Sequence, residues 1–450
     1  MNAVALDLPG APARLARAQV YRCEGIVLRV VGLAVESRGP ASALGEECLL
    51  LAADGQVLSR AQVVGFADDR GFSMPVDRLH GLSPGARVVA LGRRPTVGVG
   101  DHLLGRVLDA DGNPLDGRPI AEPKTRYPLE RSAPLAMERE RITEPFVTGV
   151  RSIDGFTTLG RGQRLGIFSG SGVGKSVLMG MISRHAKADV AVIALVGERG
   201  REVRDFIEED LGPMGLEHSV VYVATSDEPP MRRIRAALAA TAAAEYFRDR
   251  GRHVVLLMDS VTRIAMAQRE VGLSMGEPPS TKGYPPSVFS LLPRLLERPG
   301  ALRDGGSITA LYTVYVEGDD LNDPIADAAR SLLDGHLVLS RELAERGHYP
   351  SVDVLGSISR LMTQVARPAH LEAAQTLRGR MAALKDAEDL VMLGAYRRGA
   401  NKEVDAALLS RDALHALLVQ RKEVGSDLAS TEAALQGTVA AGAAIAEVAP

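Results

Sequence analysis

Ser169-Gly170-Ser171-Gly172-Val173-Gly174-Lys175-Ser176 gathers glycines, a lysine and a hydroxyl into one short stretch. Glycines in this pattern let backbone N–H groups turn toward one point, where they cradle phosphate oxygens. Arg164–Phe168 before the loop is a short apolar run that reads as a buried strand, and Val177–Ile182 after it reads as a helix. The helix N-terminus adds the positive end of its dipole. In that setting Lys175 reaches the β- and γ-phosphates of a nucleotide, and the Ser176 hydroxyl ligates Mg²⁺. Ser169 stands where the strict pattern has glycine. The competing reading is a flexible surface loop with a chance lysine, and the groups that follow weigh against it.

His253–Met258 is another apolar strand, and it runs into Asp259. In parallel-sheet folds, sites sit at the carboxyl ends of strands. Asp259 there can hold the water shell of Mg²⁺; Ser260 and Thr262 leave a helix cap as the alternative. Val190–Val196 ends in Gly197-Glu198-Arg199. Glu198 is placed either to orient and polarise an attacking water or simply to begin a solvated loop. Tyr349, held by Pro350, reads as an adenine-stacking ring or as a core tyrosine. Arg360 is either a solvated surface arginine or a cation lent to the transferred phosphoryl group of a neighbouring subunit. His185, His218, His253, His336 and His348 show no metal-binding spacing and read as structural.

These groups need a frame. From about 141 to 358, apolar runs alternate with helical patterns, the mark of a parallel sheet with crossover helices. Strands are expected at Arg164–Phe168, Val190–Val196, Val220–Val223, His253–Met258 and Ser307–Val316. Helices are expected after the phosphate loop and at Glu202–Leu211, Met231–Arg248, Ile264–Gln268 and Ala326–Leu333. Residues 21–95 differ in texture: short apolar runs broken by Gly, Pro and Asp turns, with Asp54-Gly55 as a hairpin dipeptide. Such regular short strands suggest a small β-barrel. It has no lysine and few aromatics, so an assembly barrel is preferred over a single-strand RNA binder. Residues 96–140 form a proline-interrupted connector, and 359–450 a helical C-terminal domain with helices at Leu371–Leu393 and Val404–Val424 and an alanine-rich end at Ala433–Pro450. Residues 1–20 read as a frayed segment or a short helix.

A length of 450 residues suggests about three domains. Aromatics make up only 4% and tryptophan is absent, so the core must be aliphatic. The net charge of -3 does not call for nucleic acid or an anionic surface as partner. Two cysteines without a CxxC argue against a disulfide framework or a zinc site and suit a reducing compartment. No apolar run approaches the ~20 residues of a membrane span, and the first twenty residues lack a signal-peptide core. A cytoplasmic location, touching membranes only through partners, is expected.

Together, SGSGVGKS, VGERGREVRDF, LLMDSVTRIAMAQRE, GEPPSTKGYPPSVFSLLPRLLER, GSITALYTV, EGDDLNDPIADAARSLLDGHLVLSR and HYPSVDVLGSISR resemble the type III export ATPases, relatives of the rotary ATP synthase catalytic and regulatory subunits. The likeness runs from about Gly25 to Asp405. Within it, GQRLGIFSGSGVGKSVL and VVGLAVESRGPASALGEEC look more like the flagellar than the injectisome branch. The resemblance implies an α/β, RecA-like P-loop core with a parallel sheet, between an N-terminal β-barrel and a helical C-terminal domain. It implies that the loop with Lys175 and Ser176 contacts ATP and Mg²⁺, and that Glu198 is the catalytic glutamate. Asp259 matches the Walker-B aspartate, Tyr349 the adenine-stacking aromatic, and Arg360 an arginine finger supplied across a subunit interface. Ser169 is a departure that this family often shows. The implied function is Mg·ATP hydrolysis by a homohexamer at the inner face of the cell membrane, coupled to export of flagellar proteins. Stalk and regulator proteins, export chaperones and substrates are the implied partners, with no nucleic acid. The rivals are an injectisome ATPase, a rotary-synthase catalytic subunit, an RNA-translocating hexameric helicase and a non-hydrolysing nucleotide sensor. One chain carrying both Glu198 and Arg360 can lend a finger to one neighbour and receive one from the other, which is a heterologous contact that closes into a ring.

Overall fold

The computed structural model describes residues 23–316, 318, 320 and 323–443. The expected segment at 1–20 and the end of the alanine-rich stretch at 433–450 lie outside the described residues. The chain divides into two units, with the boundary between Pro95 and Thr96.

In the first unit, β1 (Glu24–Val31), β2 (Ala34–Arg38), β3 (Glu47–Leu51), β4 (Val57–Ala67), β5 (Arg70–Pro75) and β6 (Arg87–Ala90) close into a barrel in the order β1-β2-β5-β4-β3-β6. Closure leaves no unpaired strand edge. Alternate residues point inward, so Val27, Val35, Cys48, Leu50, Ala61, Val63 and Val88 make its core. The Asp54-Gly55 dipeptide sits in the β3–β4 turn, where the Gly55 N–H donates to the Ala52 carbonyl. Glu36 is buried between Arg29 and Arg70, whose hydrogen bonds and charges hold its carboxyl below the usual range.

The second unit begins with β7 (Thr96–Val99), β8 (Arg106–Leu108), β9 (Thr125–Pro128), β10 (Pro145–Phe146) and β11 (Leu159–Gly160). It continues through β12 (Arg164–Ser169), β13 (Val190–Val196), β14 (Ser219–Ala224) and β15 (His253–Asp259). The last strands are β16 (Gly300–Ala301), β17 (Ser307–Tyr315), β18 (Gly335–Leu339) and β19 (Val352–Ser359). The main sheet runs β19-β18-β12-β17-β15-β13-β14-β8, parallel along this path except for β19, with the short β16 pairing antiparallel to β17. Its central strands β13 and β15 are almost entirely apolar because both faces are covered. The period of two is visible in β13. Val190, Val192, Ala194 and Val196 face the core under the helices Pro230–Arg248, Val261–Ser274 and Pro286–Leu296. Ala191, Ile193 and Leu195 face the core under the helix Lys175–His185.

The α/β architecture with a leading barrel and a helical end is the one expected from sequence. Several elements were not anticipated, and the following bear most on the site and its frame. The helix Pro286–Leu296 is masked in sequence by prolines. Pro286 occupies its first turn, where no N–H is needed, and Pro293 is tolerated inside it. The strand β18 is short, at five residues, and β19 is a half-exposed edge with polar residues interspersed. Leu371–Leu393, expected as one helix, is Pro368–Asp386 followed by Glu388–Met392, with the break at Ala387. The helical end packs within the second unit, where Leu377, Leu417 and Leu435 meet Phe156 and Val354.

Beneath the helices, Arg298 donates to both oxygens of Glu245 at 2.9 and 2.8 Å, the two side chains being 1% and 0% exposed. Arg298 also donates to the Leu129 carbonyl at 2.7 Å. Arg298→Ala leaves the buried Glu245 carboxylate with only the half-exposed Arg131 at 3.9 Å, so it is expected to lower unfolding stability by about 3 kcal/mol. Replacing the pair together, by Arg298→Met with Glu245→Leu, is expected to recover most of that loss in denaturant titrations.

Candidate active site

Sheet order decides what meets at the carboxyl ends of the strands. β12, β17, β15 and β13 are consecutive neighbours, so the residues that leave their ends share one rim. β12 ends in Ser169, and the helix Lys175–His185 begins directly after Gly174. Gly174 has φ of 88°, a left-handed conformation that glycine adopts without strain. A Cβ there would also come within 3.2 Å of the Tyr349 ring. No side chain caps this helix, so its first-turn N–H groups have no partner from a capping residue. The loop is pinned from outside: Ser351 Oγ donates to the Val173 carbonyl at 2.5 Å and Arg341 Nη1 to the Ser171 carbonyl at 3.2 Å.

Lys175 Nζ lies 2.6 Å from Asp259 Oδ1 and 3.4 Å from Glu198 Oε1. The three side chains are 18%, 4% and 17% exposed. Burial opposes the lysine's charge, but the two carboxylates outweigh it and raise its pKa above the ordinary value. Lys175 is therefore an ammonium throughout the neutral range. Glu198 reaches this cluster because Gly197, at φ 75°, turns the chain off β13; a Cβ there would strike the Arg263 side chain. The Glu198 carbonyl accepts from the Ser226 N–H at 3.0 Å. Asp259 is steadied by Thr313 of β17, whose hydroxyl donates to Asp259 Oδ1 at 2.7 Å.

Lys175, Glu198, Asp259 and the loop Gly170–Gly174 thus converge, and Ser176 lies in the first turn of the same helix. Tyr349 is half-exposed against Gly174, and its carbonyl accepts from the Gln420 N–H at 3.0 Å. Ser169 is different: it is buried under the loop, and its hydroxyl has no hydrogen-bond partner. The set of one hydroxyl, one buried carboxylate and one ammonium at a helix N-terminus fits Mg²⁺ with a polyphosphate. Magnesium takes hard oxygen ligands, with one or two carboxylates and phosphates completing its shell.

Arg360 is not in this cluster. β18 runs parallel to β12, with Ser169 beside Leu339, and Leu339 pairs with Val352. β19 then runs antiparallel to the other end, where Ser359 pairs with Gly335. About five residues of strand, roughly 17 Å, separate Arg360 from the phosphate-loop rim. The side chain is exposed there.

Thr313, Ser351 and Arg341 were not singled out from sequence. Thr313 carries a weak signal, a hydroxyl within the apolar run Ala310–Val316. Thr313→Val keeps the shape and removes the donor. It is expected to raise the Mg²⁺ concentration for half-maximal ATPase by about tenfold, the loss of one hydrogen bond to a charged group. An unchanged Mg²⁺ titration would reduce Thr313 to a core hydrogen bond.

The nucleotide-binding domain of the ATP synthase alpha/beta family matches residues 149–359, and the T3SS EscN ATPase C-terminal domain matches 366–437. The flagellum-specific ATP synthase of Bacillus subtilis is 54% identical over 390 residues, 86% of this chain and 89% of that protein. The chain belongs to the family of flagellum-specific ATP synthases and type III secretion ATPases. This ATPase is also 51% identical to the type 3 secretion system ATPase of Xanthomonas euvesicatoria, over 90% of the chain and 92% of that protein. Flagellum-specific proteins predominate among such relatives. The assembled ATPase EscN of the enteropathogenic E. coli type III secretion system superposes with a TM-score of 0.86 at 42% identity, covering 92% of this chain and all of that one. Membership makes this chain a nucleotide-binding, ATP-hydrolysing P-loop enzyme.

Proposed function

We propose that this ATPase hydrolyses Mg·ATP at the interfaces of a homohexameric ring and couples hydrolysis to export of flagellar proteins. The observation that carries the reading is the split between the two ends of one sheet. Lys175, Glu198 and Asp259 stand at one end and Arg360 at the other, so a subunit that uses both must use them on different nucleotides. EscN, solved as an assembled ATPase and in complex with its central stalk EscO, supports an oligomer with a stalk partner. Export chaperones and cargo are the remaining partners of the proposal, and the inner face of the cell membrane, from the cytoplasmic side, is its location.

In this mechanism the loop N–H groups and Lys175 bind the β- and γ-phosphates, and Tyr349 lies against the adenine. Ser176 and Asp259 would hold Mg²⁺, which when bound would supply positive charge to the phosphates. Glu198 orients a water in line with the γ-phosphorus and takes its proton as the water oxygen bonds to phosphorus and the bond to the β–γ bridging oxygen breaks, with ADP leaving. Arg360 of the adjacent subunit stabilises charge on the transferred group.

The test is ATPase activity per subunit against protein concentration, with sedimentation alongside. Activity that rises together with ring formation in the purified protein supports the proposal. Full activity in a monomer would overturn it. A rotary-synthase catalytic subunit would require a second, different chain to reach that activity, and a helicase would respond to RNA.

A further inference from the structure

Arg360 does not stand alone at its end of the sheet. Its Nη2 donates to the carbonyl of Arg330 at 3.4 Å, in the last turn of the helix Pro324–Leu332. Its backbone N–H donates to the Asp334 carbonyl at 3.0 Å. The guanidinium groups of Arg330 and Arg360 both lie within electrostatic reach of His336. Burial first, and then these two cations, hold that imidazole below its usual pKa, so it stays neutral. Asp334, the carboxylate nearest in sequence, is committed to Arg164, which meets Oδ1 and Oδ2 at 3.1 Å each. Among the described residues, neither Arg330 nor Arg360 has a carboxylate within ion-pair distance. The C-terminal end of the helix offers only about half an elementary charge against two cations. The patch therefore carries a positive excess that an incoming anion would satisfy.

We infer that Arg330 and Arg360 form a guanidinium pair that one subunit presents to the terminal phosphates in the phosphate loop of the next, with Arg330 binding a phosphate oxygen beside Arg360. The inference rests on the interface reading proposed above. Each guanidinium offers five N–H donors in a planar fork suited to phosphate. Two such forks match a group that carries three equatorial oxygens and gains charge as the bond to the leaving group breaks.

The test uses Arg330→Gln and Arg330→Lys in the full chain, beside Arg360→Ala. For Arg330→Gln, kcat is expected to fall by about 10²-fold, the loss typical of one transition-state donor. ADP affinity and ring formation by sedimentation should be unchanged, while binding of ADP with aluminium fluoride weakens by a similar factor. Arg330→Lys should recover part of kcat, because charge is kept and the fork is lost. Turnover of Arg330→Gln within twofold of wild type, with Arg360→Ala inactive, would overturn the pair and leave the interface reading standing. Near-normal turnover of Arg360→Ala would remove the reading beneath it. A fall in kcat accompanied by loss of the ring, or by equal weakening of ADP and the fluoroaluminate complex, would assign Arg330 a structural role and overturn the inference.

Discussion

Glu198→Gln is expected to lower ATP turnover by about 10²–10⁴-fold while ATP binding stays close to wild type. The amide has the shape of the carboxylate but cannot take a proton from water. Lys175 remains paired with Asp259 at 2.6 Å, so the loop keeps its principal anchor. Glu198 is the more distant of the two carboxylates, at 3.4 Å, and its loss should disturb the lysine little. Single-turnover hydrolysis and binding of a fluorescent nucleotide separate the two effects. Near-normal single-turnover rates would take the water-activating role away from Glu198. Loss of binding instead would mean that its charge serves only to hold Lys175.

Arg360→Ala is expected to lower turnover by about 10³–10⁵-fold, the range for an arginine finger, with nucleotide affinity and ring assembly retained. The side chain is exposed, and its hydrogen bond to the Arg330 carbonyl is long at 3.4 Å. Removing it should therefore cost little stability. The decisive measurement is mixing. Arg360→Ala subunits retain Glu198, and Glu198→Gln subunits retain Arg360. At equal mixing, roughly a quarter of the interfaces in random rings would pair the intact half of each. Activity that reappears on mixing two inactive proteins shows that the finger acts on the neighbour. Mixtures as inactive as their components would place Arg360 outside the reaction.

Much of the frame could be read without coordinates. Val190–Val196 is a strand with the expected bounds, because seven consecutive apolar residues are stable in a parallel sheet only as a strand covered on both faces. The phosphate loop was readable for the same kind of local reason: its glycines, lysine and hydroxyl act within one turn of chain. Helix Pro286–Leu296 was hidden because proline signals a break unless it falls in a first turn, and only the fold shows where that turn begins. Thr313 was hidden because its partner, Asp259, lies on a different strand, and which strands become neighbours is not written in either one.

The sequence by itself determined the chemistry available to this ATPase: a phosphate cradle, an ammonium, two carboxylates and a lone arginine, each set by residue type and its immediate neighbours. Only the tertiary structure decided their distribution. Parallel strands deliver Lys175, Asp259 and Glu198 to one rim, while the antiparallel return of β19 carries Arg360 to the other. The reason is that strand direction and neighbour order arise from long-range pairing, which no short window of residues encodes.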